Sequence, residues 1–296
     1  MVARVVKARA AALLAVALAW VAVPAALAEP ARRIVSTSPS ITETLFALGL
    51  GDRVVGVSSF CRFPVAATRL PRVGSFLRPD TELIVRLRPD LVIVNAGPNE
   101  VPRQLSALGV TSITVDRGTL ASVYSSIRAI GTAAGVGDRA EMLVAQLQGR
   151  LNAVHAAAAK RPAKRVLVIM GRQPGTLSDL VAVGRGSYLN DLVTVAGGVN
   201  VLNDPRLPDY PRISMETVIR LAPELIVDAG DMGDTVDEHI RRQPATERLW
   251  RQQTHVEASQ VNGVHAVTSD AFVVPGPRVV EAAETLARWL TALESR

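Results

Sequence analysis

The sequence predicts an α/β protein: two parallel-sheet lobes joined by one long backbone helix, with a ligand cleft between the lobes. Three observations predict it. The segments Glu82-Leu83-Ile84-Val85-Arg86-Leu87-Arg88-Pro89-Asp90-Leu91 and Glu216-Thr217-Val218-Ile219-Arg220-Leu221-Ala222-Pro223-Glu224-Leu225 share Glu, Arg, Leu, Pro and Leu at a constant offset of 134 residues. Two copies that far apart exceed any solenoid period and mark two similar lobes. Short apolar runs alternate with helical patterns in both halves, the signature of β-α-β units on a largely parallel sheet. Between the halves, Met142, Leu143, Leu147, Leu151 and Val154 recur at helical spacing through 138–160. A helix of ~22 residues there is a rod ~33 Å long.

The elements follow in order. Ile34-Val35 begins a strand that ends in the polar turn Ser36-Thr37-Ser38-Pro39-Ser40, and a helix runs from there to Leu48, stopped by Gly49. Val54–Val57 is a second strand, followed by a Pro/Gly-containing loop over 58–79. A helix over 81–88 leads to the strand 91–94, a loop over 95–102, a short helix to Leu108 and a strand at Ile113–Val115. The second half repeats the plan: strands at Arg165–Met170 and Val181–Val183, a helix over Tyr188–Ala196, a loop over 202–213, a helix from Ser214 and a strand at 225–228. Val264–Thr268 is the last strand, and Val279–Leu290 a terminal amphipathic helix. The domain boundaries read from this pattern are 29–134 for the N-terminal lobe, 135–162 for the backbone helix and 163–296 for the C-terminal lobe.

Residues 1–28 read as a cleavable signal peptide: Arg4, Lys7 and Arg9 precede an apolar run that ends in Ala26-Leu27-Ala28. No Cys stands at the cleavage point, so a lipid anchor is not expected. The remaining 268 residues suit two domains and lack a second apolar stretch of the ~18 residues that a membrane span needs. The signal peptide carries three of the 33 basic residues and none of the 27 acidic ones, leaving a net charge of +3 on the exported chain. That mild basicity comes with no Lys/Arg block and no interleaved aromatics, so nucleic-acid binding is not expected. The single cysteine, Cys61, cannot form an internal disulfide in an oxidising compartment.

An ordered set of motifs resembles the vitamin B12 and iron-complex group of periplasmic binding proteins. It comprises Arg33–Glu43, Gly56–Pro64, Pro71–Phe76 ahead of the first Glu-repeat, Arg206–Ser214 ahead of the second, then Val267–Phe272 and Pro277-Arg278. Each motif is weak alone; their order along the whole exported chain is specific. The segments Arg206–Ser214 and Ser269-Asp270 are the most similar to vitamin B12 receptors. The resemblance implies a periplasmic, monomeric solute receptor of an ABC importer rather than an enzyme. It would bind a corrinoid such as cobalamin, or an iron complex (a ferric siderophore or haem), and need no cofactor of its own. It also implies that Glu82 and Glu216, one on each lobe, dock against basic residues of the membrane permease of a permease–ATPase complex. The other reading of both glutamates is helix chemistry, a carboxylate in the first turn behind the caps Asp80 and Ser214.

The candidate ligand-binding residues are Ser40, Phe60, Phe76, Asn95, Tyr210 and Asp270. Phe60, Phe63, Phe76 and Tyr210 are four of only ten aromatics in the exported chain, and all lie in Pro/Gly-rich loops after strands. Loops at the carboxyl ends of parallel strands are where α/β sheets bind ligands, and aromatic faces there suit a large, flat, partly apolar ligand. Ser36, Ser38, Ser40, Asn95 and Asp270 offer polar contacts, though such residues also shape turns and caps. Arg62 and Arg78 lie in the same loops and suit phosphate or carboxylate groups. His155, His239, His255 and His265 have no metal-ligand spacing, and no metal site is expected. The enzyme alternative rests on Cys61 as a nucleophile, with no supporting motif.

Overall fold

The structure, a computed structural model, describes residues 30–98, 100–116, 118–230 and 236–294. The expected signal peptide at 1–28 lies outside them. In the N-terminal lobe, β1 (Ile34–Ser36), β2 (Val54–Val57), β3 (Leu91–Asn95) and β4 (Ser112–Val115) form a wholly parallel sheet in the order β2-β1-β3-β4. The two inner strands β1 and β3 are buried on both faces, as crossover helices require, whereas the edge strand β4 is buried only at Val115. Ile34, Leu91 and Ile93 enter one apolar cluster, while their neighbours Val35, Val92 and Val94 enter another with Ile84 and Leu105. The helices are α1 (Pro39–Ala47), α2 (Thr81–Arg86), α3 (Val101–Ala107) and α4 (Leu120–Ala133).

The long connector is α5 (Gly137–Ala158), 22 residues as its spacing predicts. Its buried stripe is Ala140, Val144, Leu147 and Leu151. Met142, expected in that stripe, is 64 % exposed, because the seam follows i, i+4, i+7 and i+11 from Ala140 and leaves position 142 on another face.

In the C-terminal lobe, β5 (Lys164–Gly171) is central. Beside it lie β6 (Leu180–Ala182), β7 (Gly198–Asn200) and β9 (Leu225–Asp228), with β8 (Arg212–Ile213) beyond β6 and β10 (Val264–Ala266) beyond β9. Strands β7, β9 and β10 run parallel to their partners, whereas β6 is antiparallel to β5 and β8 to β6. Residues 172–179 between β5 and β6 are too few for a crossover, which needs a dozen or more, so the chain turns back as a hairpin. The helices are α6 (Tyr188–Val195), α7 (Met215–Leu221), α8 (Val236–Arg251), α9 (Glu257–Gln260) and α10 (Val279–Ala292). Among the described residues, no helix is long and apolar enough to cross a membrane.

The sequence repeat becomes a repeated piece of construction. α2 is capped by Asp80, whose side chain accepts from Leu83 N–H, and α7 by Ser214, which accepts from Thr217 N–H. Both then turn through a left-handed residue ahead of the proline, Arg88 at φ 47° and Ala222 at φ 45°. The following carboxylate grips the start of the lobe's first strand. Asp90 accepts from the N–H groups of Arg32 (2.8 Å) and Arg33 (3.0 Å), and Glu224 from that of Arg165 (2.9 Å). Arg33 and Arg165 return the contact, donating to the carbonyls of Leu87 and Ala222 respectively.

One apolar cluster runs through both lobes. It takes Ile34, Leu45 and Leu91 from the first, Leu147 and Leu151 from α5, and Val166, Leu192, Leu225 and Leu286 from the second. At its C-terminal side His265 stacks on Trp289 (centroids 4.5 Å apart, planes at 2°), and Trp289 on Phe272. Burial pushes the His265 imidazole below its ordinary value of 6.5; Glu247 opposes the shift and Arg251 adds to it. The unfolded chain therefore takes up this proton first as pH falls. The stability from neutral His265 is present above the unfolded value and lost as pH drops through the lower folded one. His265→Phe is expected to flatten the fall in Tm on going from neutral pH to about pH 5; a profile as steep as that of the unaltered protein would assign the slope to another group.

Candidate ligand cleft

The loops at the carboxyl ends of the strands build the site. After β1, the turn through Ser40 is tied inward. Ser36 Oγ donates to the Ser38 carbonyl (3.0 Å) and meets Thr42 Oγ1 (2.7 Å), while Thr37 Oγ1 donates to the Ile93 carbonyl (3.0 Å). Ser36 is wholly buried in these bonds and is part of the turn rather than of a ligand contact. Ser38 Oγ meets Ser40 Oγ at 3.2 Å, and both residues reach the cleft.

After β2, the chain loops over a tight turn made by Gly74. This residue sits at φ 87°, and a side chain on it would strike the Arg78 carbonyl. Ser59 N–H donates to the Gly74 carbonyl (2.8 Å) and so binds the Phe60 loop to the Phe76 loop. The two rings meet edge to face, 5.6 Å between centroids at 68°. Arg72, from below, donates to the carbonyls of Ser58 and Cys61, both at 3.0 Å. Arg62 is half-buried and Arg78 exposed. Cys61 is fully buried, its sulfur close to Thr42 Oγ1 (3.1 Å) and Ser58 Oγ (3.5 Å). Burial pushes its thiol up, with the hydrogen bonds from Ser58 and Thr42 opposing. A buried thiol held in its neutral form is a poor nucleophile.

Ser38, Pro39, Ser40, Phe76 and Asn95 from the N-terminal lobe meet Val273, Val274 and Pro275 from the C-terminal lobe around a cavity of about 80 Å³. Of the six residues expected to bind ligand, Ser40, Phe76 and Asn95 therefore line one interlobe pocket, and Phe60 joins them through Phe76. Tyr210 stands on the opposite lobe, 45 % exposed, with its hydroxyl 3.2 Å from Ser187 Oγ. Its loop is seated by Gly184 and Gly186, where any side chain would strike the Pro208 carbonyl or the Asp209 carboxylate. Asp270 opens a short 3-10 turn capped by Ser269, whose end at Val273 delivers the C-terminal wall of the pocket.

Behind the pocket lies an ion pair between the lobes. Arg278 donates to Glu43 through Nε (3.0 Å) and Nη2 (2.6 Å), with side chains 14 % and 3 % exposed. Phe63 lies against the guanidinium, 4.1 Å from centroid to Cζ. Burial raises the Glu43 carboxyl above its ordinary range, opposed by Arg278. Two further contacts close the junction: Tyr188 N–H donates to the Gly118 carbonyl (2.7 Å), and Leu120 N–H, in the first turn of α4, donates to the Asp191 carboxylate (2.9 Å). In the C-terminal lobe, at the ends of β5 and β9, Asp228 accepts from Arg172 Nε (3.0 Å), Trp250 Nε1 (2.6 Å) and Gly230 N–H (2.8 Å), and both charged side chains are wholly buried.

A two-lobed α/β chain whose strand-end loops face each other across such a junction has solved counterparts. Residues 34–261 match the family model of periplasmic binding proteins. The chain belongs to that family. Among curated relatives, this binding protein is similar to the vitamin B12-binding protein of Salmonella typhimurium, with 30 % identity over 263 residues that cover 88 % of this chain and 91 % of the relative. Among solved structures, it is similar to the vitamin B12-binding protein of Vibrio cholerae, with a TM-score of 0.73 and 26 % identity over 90 % of this chain and 99 % of that one. It is equally similar to the apo haem-binding protein of Roseiflexus sp. RS-1, with a TM-score of 0.74 and 27 % identity over 88 % and 98 %. The fold expected from the sequence is that of these relatives.

Sequence reasoning missed Val273–Pro275 as a wall and Glu43–Arg278 as a clasp. Glu43 carried a signal: it stands inside the buried run Ile41–Leu45, and a buried carboxylate needs a partner. The partner lies 235 residues away, which no spacing reveals. Glu82 and Glu216 are both exposed, in the first turns of α2 and α7. The hydrogen bond with Ser214 lowers the Glu216 carboxyl below its ordinary value, keeping it charged. Among the described residues, no cluster of His, Cys, Asp and Glu could hold a metal ion.

Proposed function

We propose that this binding protein takes a corrinoid, cobalamin or a close relative, into the interlobe cleft and hands it to the permease of an ABC importer. The observation that carries the reading is identity to a vitamin B12-binding protein along nearly the whole of both chains. A cavity of about 80 Å³ is far below the ~300–1,000 Å³ of a typical ligand pocket. In this reading it is the floor of the site, over which the macrocycle lies. Phe60 and Phe76 offer apolar faces from one lobe and Tyr210 from the other; Ser40, Asn95 and Asp270 supply polar contacts to ligand amides. The chain works in the periplasm after residues 1–28 are removed, as a monomer without catalysis. Its exposed carboxylates Glu82 and Glu216 pair with basic residues of the permease, contacts that govern orientation and on-rate.

A second reading, haem or a ferric siderophore, is favoured by the haem-binding neighbour and by Tyr210, whose exposed phenol is an oxygen donor suited to ferric iron. Titrating the purified exported chain with cyanocobalamin, a ferric siderophore and haemin separates the two. Cyanocobalamin is expected to bind most tightly, and Phe76→Ala and Tyr210→Ala each to weaken it about tenfold, the loss of one aromatic contact of ~1.4 kcal/mol. Tight haemin binding with no corrinoid affinity would transfer the assignment to the second reading.

A further inference from the structure

Tyr188 joins the two sides of the cleft without standing among the residues around its pocket. Its side chain is buried in the apolar cluster that both lobes share. The hydroxyl donates to the carbonyl of Phe272 (2.7 Å), the last residue of the 3-10 turn that opens at Asp270. Val273 and Val274 N–H both donate back to the Asp270 carbonyl (2.9 Å each), so this turn runs directly into the Val273–Pro275 wall. The Phe272 ring is stacked on Trp289, 5.5 Å between centroids at 19°. Stacking leaves a ring free to slip in its plane, whereas a hydrogen bond to the carbonyl fixes distance and direction. The Tyr188 hydroxyl is therefore what sets the height of the wall.

The same residue crosses the junction. Its N–H donates to the Gly118 carbonyl of the N-terminal lobe (2.7 Å), and three residues on Asp191 accepts from Leu120 N–H (2.9 Å). One residue earlier, the buried Ser187 caps α6 by accepting from Leu189 N–H (3.3 Å) and meets the Tyr210 hydroxyl (3.2 Å). Two consecutive residues thus hold both C-terminal pieces offered to a ligand, the Tyr210 loop and the Asp270–Pro275 segment, and are themselves tied to the opposite lobe. An ordinary core tyrosine needs a partner for its hydroxyl. Here the partner is the turn that carries the wall, and groups that contact ligand depend on such supports for their placing.

We propose that Tyr188 is a positioning residue of the ligand site, setting the C-terminal wall of the cleft against the N-terminal lobe. This rests on the ligand-binding reading above. Tyr188→Phe removes the hydroxyl and keeps the ring. Two readouts are taken on the exported chain: amide hydrogen exchange without ligand, and affinity for whichever of cyanocobalamin, a ferric siderophore and haemin binds best. Ser259→Ala is the control, since it removes a hydrogen bond of the same kind elsewhere in the lobe, from Ser259 Oγ to the Trp250 carbonyl (2.6 Å). In Tyr188→Phe the amides of Phe272, Val273 and Val274 are expected to exchange several-fold faster, and affinity to fall about fivefold, the scale of one buried hydrogen bond. Ser259→Ala is expected to change neither, even where it lowers Tm as much. Unchanged exchange at 272–274 would overturn the proposal whatever the ligand. Faster exchange with affinity no lower than in Ser259→Ala would overturn positioning and leave a purely structural hydroxyl. Failure of the unaltered protein to bind any of the three would overturn the proposed function, and positioning of its ligand with it, while the exchange result still decides whether Tyr188 holds the wall.

Discussion

Asp228→Asn is expected to lower the stability of this binding protein by about 3–5 kcal/mol, the cost of breaking a fully buried ion pair from one side. The asparagine keeps the shape of the side chain, removes the charge and turns one of two accepting oxygens into an NH2 donor that faces other donors. Arg172, 0 % exposed, then keeps its contacts with the Thr176 carbonyl (3.1 Å) and Thr246 Oγ1 (2.8 Å) but loses the carboxylate 3.0 Å from its Nε. Trp250, the largest fully buried side chain of the lobe, loses a charged acceptor at 2.6 Å. The midpoint of urea denaturation reads the effect, with an unchanged slope identifying it as lost stability rather than altered compactness. Replacing both partners, as Arg172→Met with Asp228→Leu, is expected to recover only part of the loss, because the Trp250 N–H and the Thr246 hydroxyl stay buried without their partners. A single variant within about 1 kcal/mol of the unaltered protein would mean that water reaches the pair and screens it.

Glu43→Ala is expected to cost about 3 kcal/mol and to weaken ligand binding as well. The stability loss follows from leaving Arg278 only 14 % exposed without its carboxylate. The effect on affinity follows from position. Glu43 is one turn beyond Ser40 on α1, and Arg278 stands three residues after Pro275, so the pair holds the two walls of the pocket together. Glu43→Leu with Arg278→Met separates the two effects. A well-packed apolar pair is expected to regain most of the stability. It does not restore the fixed geometry of two hydrogen bonds, so affinity is expected to stay reduced. A double-mutant cycle on denaturation midpoints gives the coupling. A coupling near zero would show that the clasp does not join the lobes energetically. Full recovery of affinity in the apolar pair would make it a filler of space rather than a positioning contact.

Much of the architecture is legible in the sequence. Strands β3, β5 and β9 can be read because their buried residues form Val/Ile/Leu runs. The backbone helix can be read from its length and spacing, and the lobes from the repeat. The helix α4 is not read, although Thr119 and Ser122 form its capping box, because Ser at the third position is a weaker mark than Glu or Gln. Strands β7 and β8 span three and two residues, too short for any period to register. The antiparallel setting of β6 depends on the length of one connection rather than on the strand itself. The site is half legible for a related reason. Residue type and loop position find Ser40, Phe76 and Asn95, which line the pocket from one lobe. Val273–Pro275, Glu43 with Arg278, and Arg172 with Asp228 take their meaning from partners brought close only by the folded chain.

The apolar cluster that passes from β1 through α5 to β5 and α10 has a consequence for the history of the chain. A duplicated half that kept its own closed core could be cut free and survive as a smaller protein. Here one apolar cluster draws on both halves, α4 of the first packs on α6 of the second, and Glu43 and Arg278 sit on opposite sides of the join. Severed at the rod, each fragment would present to water the surface its twin now covers. The two copies still carry the same stitch from helix to first strand, yet neither can be inherited alone.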